Sequence, residues 1–133
     1  MKKVKGWLLD THALLWMLYG DDRLSTVAAQ AIDGDLAIYS SIASFWEIAI
    51  KQSGKGFDFG VESNWDELFQ TELNRIGVRV LDIGIADCRA IQDLPMHHRD
   101  PFDRMLVAQA VNFGLGIISK DKIFAVYPVV VNW

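Results

Sequence analysis

The sequence predicts an α/β domain built on a mainly parallel sheet, and three observations predict it. Short β-type runs alternate with longer stretches of helical periodicity, the order expected of βαβ units. The 133 residues, 51% hydrophobic and 23% charged, are enough for one core, so a single domain over residues 1–133 is expected. Two carboxylates, Asp10 and Asp121, fall just past the ends of apolar runs. Open parallel sheets gather their ligands at such strand ends.

Taken in order, residues 4–9 read as the first strand, closed by Asp10. Helical patterns follow at 11–18 and 25–32, a second strand at 36–39, and a third helix at 41–52. Several of these patterns begin on Ser, Thr or Asp, the residues that cap helix N-termini. Residues 53–60, Ser-Gly-Lys-Gly-Phe-Asp-Phe-Gly, are glycine-rich but follow no strand and lack the GK[ST] of a phosphate-binding loop, so they read as a mobile loop. A helix at 63–75, a strand at 78–81 and a helix at 85–94 come next. The polar connection 96–100 carries His97, His98 and Arg99 into a helix at 101–113, where Asp100 and Pro101 make a strong start signal. A strand at 116–118, a turn before Lys122-Ile123-Phe124 and a strand at 129–131 complete the chain.

Cys88 is the only cysteine, which excludes an internal disulfide and a thiolate zinc cluster and points to a cytoplasmic home. Lysines 2, 3 and 5 precede an apolar stretch that Asp10 interrupts, a poor signal peptide, and the apolar run 13–19 is too short to span a bilayer. No membrane association is expected. A net charge of −4 argues against a general basic nucleic-acid footprint. An acidic metal site would itself contribute negative charge, so acidity leaves a nucleic-acid substrate open.

Four carboxylates carry the chemistry: Asp10, Glu47, Asp103 and Asp121. Like charges repel unless a cation joins them, and hard divalent cations prefer oxygen, so the set suggests Mg²⁺ or Mn²⁺. Asp10 taken alone fits an N-cap slightly better. Glu47 is more telling, because Ser44, Glu47 and Lys51 form one polar row on an otherwise apolar helix. Such a helix is expected to be buried nearly all round, with the row lining a cleft. The competing reading, an exposed Glu47–Lys51 pair, would contribute only about 0.3–0.5 kcal/mol. Asp103 borders the apolar stripe of Phe102, Leu106 and Phe113, so a half-buried carboxylate seeking a cation is expected. Ser119 and Asp121 are also ordinary turn residues. His97 and His98, adjacent in a connection, read as solvent-exposed or substrate-contacting, and the five tryptophans as core or interface anchors.

Four blocks of the sequence resemble the PIN-domain family, specifically the VapC-like toxin nucleases of toxin–antitoxin pairs. They are Leu8-Leu9-Asp10-Thr11-His12-Ala13-Leu14-Leu15-Trp16, the helix from Ser41 through Lys51, the stretch from His98 through Ala110, and Ile118-Ser119-Lys120-Asp121. All four occur in family order over nearly the whole chain. The resemblance implies a three-layer α/β/α domain with sheet order 3-2-1-4-5. It assigns the metal-binding acids to Asp10, Glu47, Asp103 and Asp121, with Ser119 and Thr11 supporting them. Asp100 stays open between an outer acid and a helix cap.

The implied activity is metal-dependent hydrolysis of RNA, with one or two Mg²⁺ or Mn²⁺ ions held by the acids and 5′-phosphate and 3′-hydroxyl ends left behind. Lys51, Arg99, Arg104, Lys120 and Lys122 are candidates for holding the RNA backbone, although surface charge accounts for most of them. A cognate antitoxin and a homodimer are the expected protein partners. Two other classes use similar residues. A receiver or phosphatase-like domain also places Asp at strand ends but needs an acidic pair that Asp82 does not complete. A non-catalytic interaction module would use the same acids to bind a partner's arginines, and a metal-dependent nuclease assay separates it from the enzyme.

Overall fold

The computed structural model describes residues 3–54 and 60–133. Five strands, β1 (Gly6–Leu9), β2 (Ala37–Ser41), β3 (Arg79–Leu81), β4 (Gly116–Ile118) and β5 (Val131–Asn132), form one parallel sheet in the order β3-β2-β1-β4-β5. The expected α/β/α architecture and strand order are therefore present. This order differs from the 2-1-3-4-5 of receiver-type domains, so the fold is not that of a receiver.

The helices are α1 (Thr11–Tyr19), α2 (Thr26–Ile32), α3 (Ile42–Gly54), α4 (Trp65–Ile76), α5 (Ile85–Asp93) and α6 (Pro101–Phe113). Strand side chains alternate between faces, so consecutive leucines and isoleucines supply two different cores. Leu9 and Ile118 join Leu14, Ile48, Phe69 and Leu73 on the side of α1 to α4. Leu8 and Ile117 join Leu106, Val107 and Phe124 on the side of α6. Trp7 pairs with Gly116 across β1 and β4, and a Cβ at Gly116 would meet the Trp7 ring at 2.3 Å, so only glycine leaves room for that indole.

Several boundaries differ from the sequence reading. β1 begins at Gly6 rather than residue 4, and β5 is a two-residue strand starting at Val131. Residues 122–126, expected to follow a simple turn, wind into a 3-10 helix whose first amides are capped by Asp121 accepting from Ile123 N at 3.0 Å. The expected mobile loop at 53–60 falls mainly on residues 55–59, outside the described residues, while Ser53 and Gly54 end α3. Among the described residues no helix is long and apolar enough to cross a membrane.

The expectation that α3 is buried all round is overturned. It wedges between α1 and α6 and buries one stripe, Ala43, Ser44, Glu47 and Ile48. Ile42, Trp46 and Ile50 lie on the outer side, with Trp46 54% exposed and edge-on to Phe102 at 5.2 Å. Trp16 is buried, tilted against the partly buried Trp133 at 5.6 Å, and Trp65 stacks on Phe45 at 6.3 Å, so these indoles serve packing.

Candidate active site

β1 and β4 lie side by side with Leu9 opposite Ile118, which brings the residues just after each strand together. The sheet order reverses at this pair, the place where open α/β sheets bind ligands. Asp10 N donates to Ile118 O at 3.1 Å, and the Asp10 side chain does two things at once. Its Oδ1 accepts from Ala13 N at 2.8 Å, capping α1, while its Oδ2 accepts a short hydrogen bond from the Ser119 hydroxyl. The cap and the site are thus the same carboxylate. Ser119 Oγ in turn accepts from Asp121 N at 2.9 Å, so the turn after β4 is fixed by the residue that holds Asp10. Thr11 donates to Ser44 Oγ at 3.0 Å, tying α1 to α3.

Glu47 is only 6% exposed, and Lys51 Nζ donates to it at 2.7 Å. The pairing that sequence spacing allowed is present, but within a cleft rather than on the surface. Asp103 is half-buried, with its backbone N–H donating to Asp100 Oδ1 at 2.9 Å, which makes Asp100 the α6 cap. Its side chain meets His98 Nε2 at 3.2 Å.

All four acids line one cavity of about 370 Å³, together with Asp100, Lys51 and Lys120. Three further lining residues are Thr11, His12 and Trp16. The sequence reading took Trp16 for a packing anchor and gave His12 no role, although their spacing of four on α1 puts both on one face, where their rings meet at 5.5 Å. Arg99 is exposed and Lys122 likewise, and neither lines the cavity.

Arg104 corrects the sequence reading. It is buried rather than presented to substrate, and it donates to Pro95 O at 2.9 Å, Ile91 O at 3.2 Å and the Tyr127 hydroxyl at 3.2 Å. The guanidinium is a strut between α6 and the end of α5, so it is no phosphate contact. His98 is likewise half-buried and bonded rather than solvent-facing, while His97 is exposed and packs edge-on against Tyr127 at 5.1 Å.

The acids feel one another. Burial, then the charges of Asp100, Glu47, Asp10 and Asp121, push the Asp103 carboxyl up to about 8, and burial raises Asp10 despite its hydrogen bonds from Ser119 and Ala13. In the unfolded chain Asp103 titrates near its ordinary value of 3.8. Between these values the native state binds a proton that the unfolded state has released. The stability of metal-free protein should therefore fall as pH rises from about 4 through about 8. Denaturant unfolding in EDTA at a series of pH values checks this, and Asp103→Asn should flatten the slope; an equal slope in both proteins would contradict it.

The donor set fits a hard divalent cation, being all oxygen and mutually repelling, with Asp10 and Glu47 buried, Asp103 half-buried and Asp121 at the exposed rim. Among the described residues no three acidic, cysteine or histidine groups already stand at ligating spacing. Each inner acid is instead turned to a protein partner: Asp10 to Ser119, Glu47 to Lys51, Asp103 to His98. These partners hold the carboxylates in place around the cavity.

A family model described as PIN domain matches residues 7–130. Ribonuclease VapC22 of Mycobacterium tuberculosis (strain ATCC 25618 / H37Rv) is 25% identical over 119 residues, covering 86% of each chain. Two solved structures share the fold. VapBC2 from Rickettsia felis, bound to a DNA fragment from their promoter, aligns with a TM-score of 0.66 at 10% identity over 94% of this chain and 96% of that one. A toxin–antitoxin complex from Klebsiella pneumoniae aligns with a TM-score of 0.64 at 18% identity over 95% and 96%.

Proposed function

Because the chain belongs to the PIN-domain family, over residues 7–130, we propose that it is a Mg²⁺- or Mn²⁺-dependent endoribonuclease acting as the toxin of a toxin–antitoxin pair. The observation that carries the reading is the convergence of Asp10, Glu47, Asp103 and Asp121 on one cavity at the carboxyl ends of β1 and β4. Similarity to a protein named ribonuclease VapC22, and a fold shared with a toxin–antitoxin complex, support the activity and the biological setting. A cognate antitoxin and a second copy of this chain are the proposed protein partners.

Asp10, Glu47, Asp103 and Asp121 would hold the ion. When bound, it supplies a water nucleophile at neutral pH and offsets charge developing on the phosphoryl group. Asp10 enters this task already oriented by Ala13 N and Ser119 Oγ, so little freedom remains to be lost. Lys51 and Lys120 bring cationic groups to the cavity wall, where they can meet phosphate oxygens of the RNA.

The purified chain should cleave an RNA oligonucleotide with Mn²⁺ or Mg²⁺, lose the activity in EDTA, and recover it on metal add-back. The products should carry 5′-phosphate and 3′-hydroxyl ends. Cleavage that survives chelation, or 2′,3′-cyclic phosphate ends, would instead favour a histidine mechanism. Absence of cleavage under every metal condition would favour the non-catalytic interaction module.

A further inference from the structure

Resting on the reading of Asp103 as an ion-holding acid, we infer that His98 is its positioning residue, locked in a single tautomer by Tyr127 and Arg104. The directions are assigned outward from the one bond that donor chemistry fixes. A guanidinium can only donate, so the Tyr127 oxygen accepts from Arg104 Nη1 at 3.2 Å. The phenol's own proton has one recorded acceptor among the described residues, His98 Nδ1 at 2.9 Å, and we assign it there. With Nδ1 accepting, the imidazole proton sits on Nε2, which faces Asp103 Oδ2 at 3.2 Å and donates to it.

The relay is anchored at both ends. Arg104 also holds the carbonyls of Ile91 and Pro95, and the buried Tyr127 ring lies 5.6 Å from that of His98. A carboxylate is free to turn about its last torsion unless one oxygen is held. His98 holds Oδ2, and among the described contacts Oδ1 makes no hydrogen bond, so it remains available to a ligand of the cavity. A simple staple of the 94–100 connection onto α6 would need neither a fixed tautomer nor a donor at Nε2.

Two measurements test this, and neither uses RNA. Long-range ¹⁵N NMR of the metal-free protein should find His98 as the Nε2–H tautomer, and Tyr127→Phe, which keeps the ring and loses the hydroxyl, should let the Nδ1–H form appear. Calorimetric Mn²⁺ titration should give at least about 10-fold weaker binding for His98→Ala, the range for removing an outer hydrogen-bond partner of a ligating group. His98→Gln, whose amide nitrogen can reach the place of Nε2, should recover most of that loss. An Nδ1–H tautomer in the wild type, or wild-type Mn²⁺ affinity in His98→Ala, would overturn the inference. Should the wild type take up no Mn²⁺, the metal reading of the function fails, while the tautomer result still decides the relay.

Discussion

Asp10→Asn and Asp103→Asn should each reduce ribonuclease activity by at least about 10²-fold, the scale of removing one charge-stabilising group from a preorganised site. The fold should survive both changes. In Asp10→Asn the remaining amide oxygen can still accept from Ala13 N, so the α1 cap is kept. Asp103→Asn removes one charge from a cluster whose mutual repulsion and burial push that carboxyl up to about 8. Metal-free Asp103→Asn should therefore be as stable as the wild type or more so at pH 8, because the cost of an ionised, half-buried carboxylate disappears. Circular dichroism melts in EDTA and a cleavage assay in Mn²⁺ separate the two effects. Near-wild-type cleavage by either variant would remove that residue from the site.

Arg104→Met should be the most damaging single change to stability outside the apolar core. The thioether keeps much of the side chain's volume but leaves the carbonyls of Ile91 and Pro95 and the Tyr127 hydroxyl without their donor. Buried acceptors stripped of a charged donor cost about 1–3 kcal/mol each where water cannot replace it. Partial solvent access at the two carbonyls lowers the sum, and a net loss of about 3 kcal/mol is expected. For a chain of this size that corresponds to a fall in Tm of roughly 10–15 °C. Were Arg104 a phosphate contact, the same variant would melt like the wild type and bind RNA more weakly, so thermal melting alone distinguishes the roles.

The contrast between Asp103 and Arg104 explains what the sequence could and could not reveal. Asp103 sits in a local pattern: Asp100 at the cap, Pro101 at the first position and an apolar stripe beside it, ending at Gly114 in the left-handed conformation, so α6 was legible to the residue. Arg104 is determined by Tyr127, 23 residues further on, and by carbonyls at the end of α5. No periodicity encodes such partners, and an arginine without a visible partner reads as surface charge. The solvent-exposed reading of His98 failed for a similar reason, since its partner Tyr127 lies 29 residues further on. Glu47 and Lys51 were legible as a pair from their spacing, and the apolar remainder of α3 correctly implied burial for Glu47. That same apolar remainder wrongly implied burial for Trp46 and Ile50, because composition does not tell which sides of a helix find neighbours. Strand existence followed from the alternation of patterns, whereas the start of β1 and the shortness of β5 depend on where neighbouring strands stop pairing.

The central claim is that the four acids form one divalent-cation site that drives RNA cleavage, and Glu47 tests it most directly because its ion pair with Lys51 offers a purely structural role. Mn²⁺ should be titrated calorimetrically into the wild type and Glu47→Gln, with cleavage of the same RNA followed in parallel. The cation site predicts that Glu47→Gln weakens Mn²⁺ binding and cleavage together, at least about 10-fold each, with little change in metal-free Tm. Unchanged Mn²⁺ affinity and unchanged cleavage, accompanied only by a small loss of stability from the broken pair, would contradict it and leave the cavity with three acids.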